Sequence, residues 1–463
     1  MEQPYRPVHD LFFGRDDAES DFADGLLRRG FQTTYVSRAA MEGRESLVIG
    51  RKGSGKSAIC AHLADGGYAD STTLITPDDA AGDAIRRFEL QGLTADTAKS
   101  LIWRYVFAIH AAQYVSEHAH THKGLRVPAS VRALRDFLRA NDEGHDGRLA
   151  ERLSRGTRRL QSASLSLKML GFEAGLNVGG EPDAAAAGSE GARAMRQLDT
   201  LEAGVRAAFE DLGCATAVGE PPFLSLVDQL EQVWQGYTDS HALVTGLLLG
   251  AQHVVTAYRH AARCVLFVRA DIYDSLNFAD GDKFRSDEVR ISWHPEALHD
   301  LARTRAALSL RRPVSAEEMW RLIFPPSVAG EPVRDYLVQR SLSRPRDIIQ
   351  FLTLSRDAAD RLGYATIHEA DVLEATEQFS RWKLDDPAKE YNVGFPFLRP
   401  VFARFENAGF EVTRTAFTAP FDEIRDALHD RYSDYTEQLT AQGAIEALYG
   451  IGFLGVSRGD GIV

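Results

Sequence analysis

The chain has 463 residues, 44% of them apolar, enough for a full core and by the usual scale for roughly two to four domains. A net charge of −13 opposes general affinity for nucleic acid and leaves room only for a local basic patch. The three cysteines, Cys60, Cys214 and Cys264, are too widely spaced for a disulfide framework or a zinc knuckle, which points to a reducing, cytoplasmic compartment. The start MEQPYRPVHDLFF has no basic segment leading into an apolar core, so no secretory signal is expected. The longest apolar stretch, Leu243 to Val255, contains Gln252 and His253 and is too short to cross a bilayer, so no membrane association is expected.

In chain order the first signal is LFFGRDDAESDF, two aromatics ahead of Gly14, Arg15 and Asp16 and an acidic run to Glu19 and Asp21. A helix-like stretch follows, and then SLVIGRKGSGKSAI. Leu47, Val48 and Ile49 read as a buried parallel strand, Gly50 to Gly55 as a glycine-rich turn, and the residues from Lys56 through Ala58 as the start of a helix. Gly53 and Gly55 let the backbone around Ser54 close on phosphates, which would sit at the helix N-terminus. Lys56 neutralises β and γ oxygens, and the Ser57 hydroxyl ligates Mg²⁺. The segment before this turn then returns Arg15 and Tyr35 toward the nucleotide base, or simply caps the core.

Thr72 to Thr76 is the next short strand. Some 150 residues separate it from the following strand candidate, so the core carries an insertion over about 85–215. Leu101, Tyr105, Ile109 and Ala112 recur at one-turn spacing and predict a packed helix. His118, His120 and His122 alternate in a polar stretch that reads as an exposed loop rather than a metal site, and ASLSLKMLGFEAGLNVGG reads as a hairpin. The second landmark is PPFLSLVDQLEQVW, an apolar strand from Phe223 ending at Asp228, a carboxylate placed to hold Mg²⁺ beside Ser57. A long helix over Leu243 to Tyr258 leads to a fourth buried strand, Cys264 to Arg269. In a P-loop core of the additional-strand type this strand lies between the other two landmarks, which makes Arg269 a sensor candidate; the alternative is a local pair with Asp271 or Asp274. Val289 to Trp293 reads as a fifth strand.

The box FFGRDDAE ahead of GRKGSGKS resembles the hydrophobic-hydrophobic-Gly-Arg-acidic box of STAND-type signalling NTPases and their origin-recognition-like AAA+ relatives. The resemblance implies an adenine-side role for Gly14 and Arg15, and makes Arg285 or Lys283 a candidate finger toward a neighbouring subunit's nucleotide, the alternative being an ordinary exposed loop. SLSRPRDIIQFL resembles the Gly-x-Pro-Arg element of the same families, with serine in the glycine position. It implies that Arg346, or alternatively Arg344, reaches the nucleotide from a helical lid. Relatives place a second acid after the strand-end aspartate; here Gln229 stands there, and Glu231 is the substitute that would orient water.

Residues from about 300 to 385 carry amphipathic helices and a capping box at Thr366 and Glu369. The tract from about 386 onward offers helices FPFLRPVFARFE, FDEIRDALHDRY and GAIEALYG and a terminal hairpin, suggesting a winged helix. From 391 onward six arginines and no lysine face ten acids, which disfavours DNA binding by this module. The expected fold is a three-layer α/β P-loop core over 1–300 with its insertion, a helical lid over 301–385 and a winged-helix-like domain over 386–463. The expected activity is Mg²⁺-dependent ATP binding with slow hydrolysis, switching self-association or a protein partner. Resemblance places it in prokaryotic signalling, stress or defence. A DNA-associated initiator, a small-molecule kinase and a non-catalytic nucleotide-binding scaffold remain open.

Overall fold

The computed structural model describes residues 7–462 other than 67–70, 124–126, 145–147, 168–169, 171–187, 215–222, 235–237, 277–280, 393, 406–410 and 459–460. Most of the expected hairpin after Ala163 lies outside these residues. Two compact units emerge, one made of Phe12–Val314 with Val338–Ile349, the other built mainly of Ser315–Leu337 and Gln350–Val463. Among the described residues no helix is long and apolar enough to cross a membrane.

The first unit is built on a five-stranded parallel sheet: β1 Leu47–Gly50, β2 Ser71–Ile75, β3 Phe223–Val227, β4 Ala262–Arg269 and β5 Glu288–Arg290, in spatial order β2-β3-β4-β1-β5. All four strand pairs run parallel. The continuous apolar runs are explained by helices on both faces, since every residue of β1 and β3 is buried. Leu47 and Ile49 join one core with Phe223, Val227, Leu266 and Val268. Val48 joins the other with Leu224, Leu226, Val265 and Phe267, packed on Ile59 and Leu63 of the helix that follows the glycine-rich turn. β4 lies between β1 and β3, the additional-strand order.

β5 ends earlier than its apolar pattern suggests. Ile291 still donates to the Ile49 carbonyl (2.8 Å), but the chain then departs, because the Trp293 indole is drawn to the Ser54 carbonyl (2.9 Å) and a helix starts at Pro295.

Between β2 and β3 stands a helical insertion whose spine is Ala95–Lys123, with Ala129–Ala140, Leu149–Ser162 and Glu190–Leu212 around it. Leu101, Tyr105, Ile109 and Ala112 are all buried in it. The stretch His118 to Lys123, expected as an exposed loop, continues this helix: the helical ladder already built by the buried residues before it carries through the polar end. Helix Thr238–Ala257 crosses the spine at close range, because Gly246 and Gly250 leave no room for side chains; a Cβ on Gly246 would lie 2.5 Å from Lys99 Cβ.

Three of the four arginines of Leu149–Ser162 turn inward, while Arg158 stays exposed. Glu143 is buried, accepts from Tyr105 Oη (2.8 Å) and faces Arg152, Arg155 and Arg159 at 3.3–3.5 Å. Arg152 also donates to the His110 ring (2.9 Å to Nε2). Burial and that guanidinium pull the His110 pKa down to about 3. A histidine whose folded pKa lies below its unfolded value of about 6.5 contributes stability that is full above the unfolded value and is lost as pH falls toward the folded one. This group is therefore expected to cost up to about 1.4 kcal/mol of stability per pH unit between about pH 6.5 and about pH 3. Urea unfolding of wild type and His110→Gln at pH 7 and pH 5 checks it: the variant should show the smaller loss.

In the second unit helix Glu369–Glu390 is capped by a box at His368 and Asp371, not at Thr366 and Glu369, since the Asp371 carboxylate accepts from His368 N (2.8 Å). Helix Arg414–Arg431 starts before Pro420 rather than after it. Thr413 caps it through the Ala416 amide (3.2 Å), and the buried faces of Phe417 and Phe421 hold it across the proline. Helices Leu398–Phe402 and Ala441–Gly450 pack with it around Phe397, Val401 and Leu448, and a Ser457–Arg458 to Gly461–Ile462 hairpin follows.

Candidate functional site

β1 ends at Gly50, and the chain turns through Gly53 and Gly55 at φ of +77° and +101°, conformations that favour glycine, into helix Lys56–Asp65. The turn is tightly folded: a Cβ on Gly50 would meet Ser54 Oγ at 2.3 Å. Among the described residues the buried Ser54 Oγ has no hydrogen-bond partner. Lys56 is only 6% exposed, and its ammonium donates to the carbonyls of Gly50 (3.0 Å) and Arg51 (3.2 Å). Burial lowers its pKa, opposed by the charges of Glu231 and Asp228.

Asp228, at the end of β3, is buried, and the Ser57 hydroxyl donates to its carboxylate. Burial raises its pKa, against the bonds from Ser57 and from the Gln229 backbone. The two residues come from distant segments and meet because β4 and β3 run parallel beside β1, so all three strands end at the same sheet edge. Arg269 is in register with Gly50 at that edge. Its guanidinium grips Asp271 through two bonds (3.0 and 2.6 Å), so the local pair and the position beside the turn coexist.

The segment after Phe13 folds over the turn. Gly14 adopts φ +127°, and Arg15 turns its side chain to Asp24 (2.7 Å) while lying over the Phe12 ring. Arg346 bridges this segment and the glycine-rich turn: its backbone N–H donates to Gly53 O (3.3 Å) and its Nε to Asp16 O (2.9 Å). Ser343, which stands where the resembled element has glycine, takes φ +51°, so the backbone there does occupy the left-handed region. Arg344 donates its backbone N–H to Ser341 O. Lys283 and Arg285 are exposed near the turn ahead of β5.

Arg15, Lys56, Ser57, Ala58, Glu231 and Arg346 line one cleft. Its apolar wall is Leu27, Phe31, Ile291, Trp293, Leu301 and Ile349. A polar end with a buried ammonium and an apolar end of this kind suit a phosphorylated ligand with a flat ring. The residues also fit a nucleotide with Mg²⁺: positive-φ glycines, the orphaned Ser54 hydroxyl, and a hydroxyl–carboxylate pair of hard oxygen ligands. Among the described residues no group of three or more His, Cys, Asp or Glu is gathered to hold a metal.

Three features were not foreseen. Asp21 and Arg305 form a buried ion pair (2.7 Å), and Asp21 also accepts from Arg15 N (3.2 Å), fixing the Gly14–Arg15 box on helix Pro295–Ser309. Trp293 straps the turn. Gln229 sits at φ +63°, which for a non-glycine residue costs of order 1–3 kcal/mol, and donates to Glu19 (2.7 Å). Only the acidic run 16–21 hinted at the first and last of these, without naming partners.

Residues 296–388 match the model of the FunZ-associated C-terminal helical domain. Over 463 residues the chain is 23% identical to the putative transposon gamma-delta 80.3 kDa protein of Escherichia coli (strain K12), covering 96% of this chain and 61% of that one. Over 151 residues it is 26% identical to allergen Alt a 2 of Alternaria alternata, covering 32% of this chain and 80% of that one. Among solved structures it is similar to the Aeropyrum pernix ORC1 protein in complex with DNA, with a TM-score of 0.36, 14% identity, and 94% of this chain and 86% of that chain covered. The chain spans about three fifths of the length of its E. coli relative.

Proposed function

We propose that this chain is a Mg²⁺-dependent ATP-binding protein and slow ATPase whose nucleotide state switches self-association or binding of a partner protein. The observation that carries the reading is the meeting of Ser57 with Asp228 at the mouth of a glycine-rich turn that holds a buried Lys56. In this reading the amides of Gly53 to Ala58 and the Lys56 ammonium stabilise charge on the phosphoryl oxygens. Ser57 and Asp228 hold Mg²⁺, which when bound neutralises the phosphates and orients them for displacement. Glu231 orients the attacking water, and Gly14, Arg15 and the apolar wall take the base, with a bias to adenine. Arg346, fixed to both Gly53 and Asp16, reports occupancy, with the segment 301–385 as lid and 386–463 as the output module. Arg269 is the sensor at the sheet edge. The origin-recognition-like and STAND resemblance, with its prokaryotic signalling or defence setting in the cytoplasm, belongs to this proposal.

The test is equilibrium binding of ATP with and without Mg²⁺. Wild type should gain at least about tenfold in affinity from Mg²⁺, and Asp228→Asn should keep no more than about a twofold gain while still binding free ATP. Equal Mg²⁺ enhancement in both proteins would remove Asp228 from the site.

A second reading, a DNA-associated initiator-like ATPase, is favoured by the name of the transposon relative. Against it stand the arginines drawn inward to Glu143 and the acidic C-terminal tract. Salt-sensitive retardation of a duplex in a shift assay would support it.

A further inference from the structure

The strand that ends at Asp228 does not continue into a second acid. It turns through Gln229, in the left-handed region, into a single 3-10 turn, Leu230–Gln232. What holds that turn is visible at both ends of the Gln229 amide. Nε2 donates to Glu19 Oε1 at 2.7 Å, and Oε1 accepts from Gln232 Nε2 at 2.5 Å. The Gln232 backbone N–H closes the turn on Gln229 O (3.1 Å), and Leu230 is fully buried beneath it. The residue the turn delivers to the cleft is Glu231, alongside Lys56 and Ser57.

Glu19 is itself placed by the nucleotide-side segment. Its short helix, Ala18–Ala23, is capped by Asp17, whose carboxylate accepts from Ser20 N (2.7 Å). The preceding Asp16 carbonyl is held by Arg346, which also touches Gly53 of the glycine-rich turn. A chain of contacts thus runs from the glycine-rich turn through Arg346, Asp16 and Glu19 to Gln229 and the acid-bearing turn.

We infer that Glu19 is a positioning residue: by accepting from Gln229 it fixes the turn that presents Glu231 to the phosphate end of the cleft, standing in for the acid that Gln229 displaced. The inference rests on the nucleotide reading above. The chemistry separates clamp from charge. A glutamine at position 19 keeps a carbonyl that accepts from Gln229 Nε2, whereas alanine keeps nothing.

The experiment uses the full chain as wild type, Glu19→Ala, Glu19→Gln, Glu231→Gln and the combination of Glu19→Ala with Glu231→Gln, with three readouts: MgATP affinity by calorimetry, steady-state phosphate release, and amide hydrogen exchange without nucleotide. Glu19→Ala is expected to lose about tenfold in kcat, the scale of an acid misplaced by part of an ångström, with MgATP affinity within about twofold of wild type. Glu19→Gln should recover most of that loss, and Glu19→Ala combined with Glu231→Gln should be no slower than Glu231→Gln alone. The Gln232 and Val233 amides should exchange faster in Glu19→Ala than in wild type or Glu19→Gln.

Three results overturn the inference: unchanged exchange and kcat in Glu19→Ala; a Glu19→Gln protein as slow as Glu19→Ala, which would mean that charge and not the clamp matters; or a wild type that binds MgATP yet releases no phosphate. Absence of MgATP binding by wild type sinks the nucleotide reading itself, while the exchange data still report on the clamp.

Discussion

Lys56→Ala is expected to weaken MgATP binding at least about a hundredfold while leaving the unfolding midpoint close to wild type. Lys56 is 6% exposed, and in the free protein its ammonium is held by the carbonyls of Gly50 and Arg51. Those two neutral bonds recover part of what burial costs a charge, so the side chain is poorly satisfied until an anion arrives. Two charge-assisted bonds to phosphate oxygens, at about 1.5–3 kcal/mol each, give the estimated loss of affinity. Stability changes little because the variant deletes a desolvated cation together with its modest bonds, and the two carbonyls remain beside the open cleft. Calorimetric titration of both proteins, with a urea unfolding curve for each, measures the two effects separately. Wild-type affinity in Lys56→Ala would move the nucleotide away from this turn.

The largest stability effect is expected at Asp21 and Arg305. Both side chains are almost fully enclosed, 2.7 Å apart, and among the described residues Arg305 Nε and Nη1 have no hydrogen-bond partner. Asp21→Leu would leave the guanidinium buried without its counter-charge, which costs about 3–5 kcal/mol. It would also release Arg15 N and the packing over Gly14, whose missing Cβ would otherwise lie 2.8 Å from Asp21 Oδ1. The double variant Asp21→Leu with Arg305→Met should be far less destabilised than the sum of the singles, since no orphaned charge remains. Urea denaturation of the four proteins in one double-mutant cycle tests this. A single variant within about 1 kcal/mol of wild type would show that water already reaches the pair.

How much could be read from residues alone varied with the range of the interaction. The α/β core was legible because continuous apolar runs such as Leu47 to Ile49 and Phe223 to Val227 are the mark of strands covered on both faces. Lys56, Ser57 and Asp228 could be named because glycine spacing and a strand-end acid are local patterns. The polar tail of the insertion's spine helix and the start of helix Arg414–Arg431 were misread. In both, hydrogen bonding and packing set earlier in the helix outweighed the local residue types: a polar histidine run in one case, Pro420 in the other. The arginines of Leu149–Ser162 look like a surface charge run in sequence, yet three of them converge on Glu143.

By itself, then, the order of residues determined the elements whose cause lies within a few positions: the buried strands, the glycine-rich turn and the helix that follows it. Tertiary structure alone decided which charges meet. Asp21 with Arg305, Glu19 with Gln229 and Trp293 with the Ser54 carbonyl are pairs far apart in the chain. A polar side chain carries no local signature of its partner. Its partner is chosen by the crossing of the sheet and helices, because a group taken out of water must find the donor or acceptor that the fold brings to it.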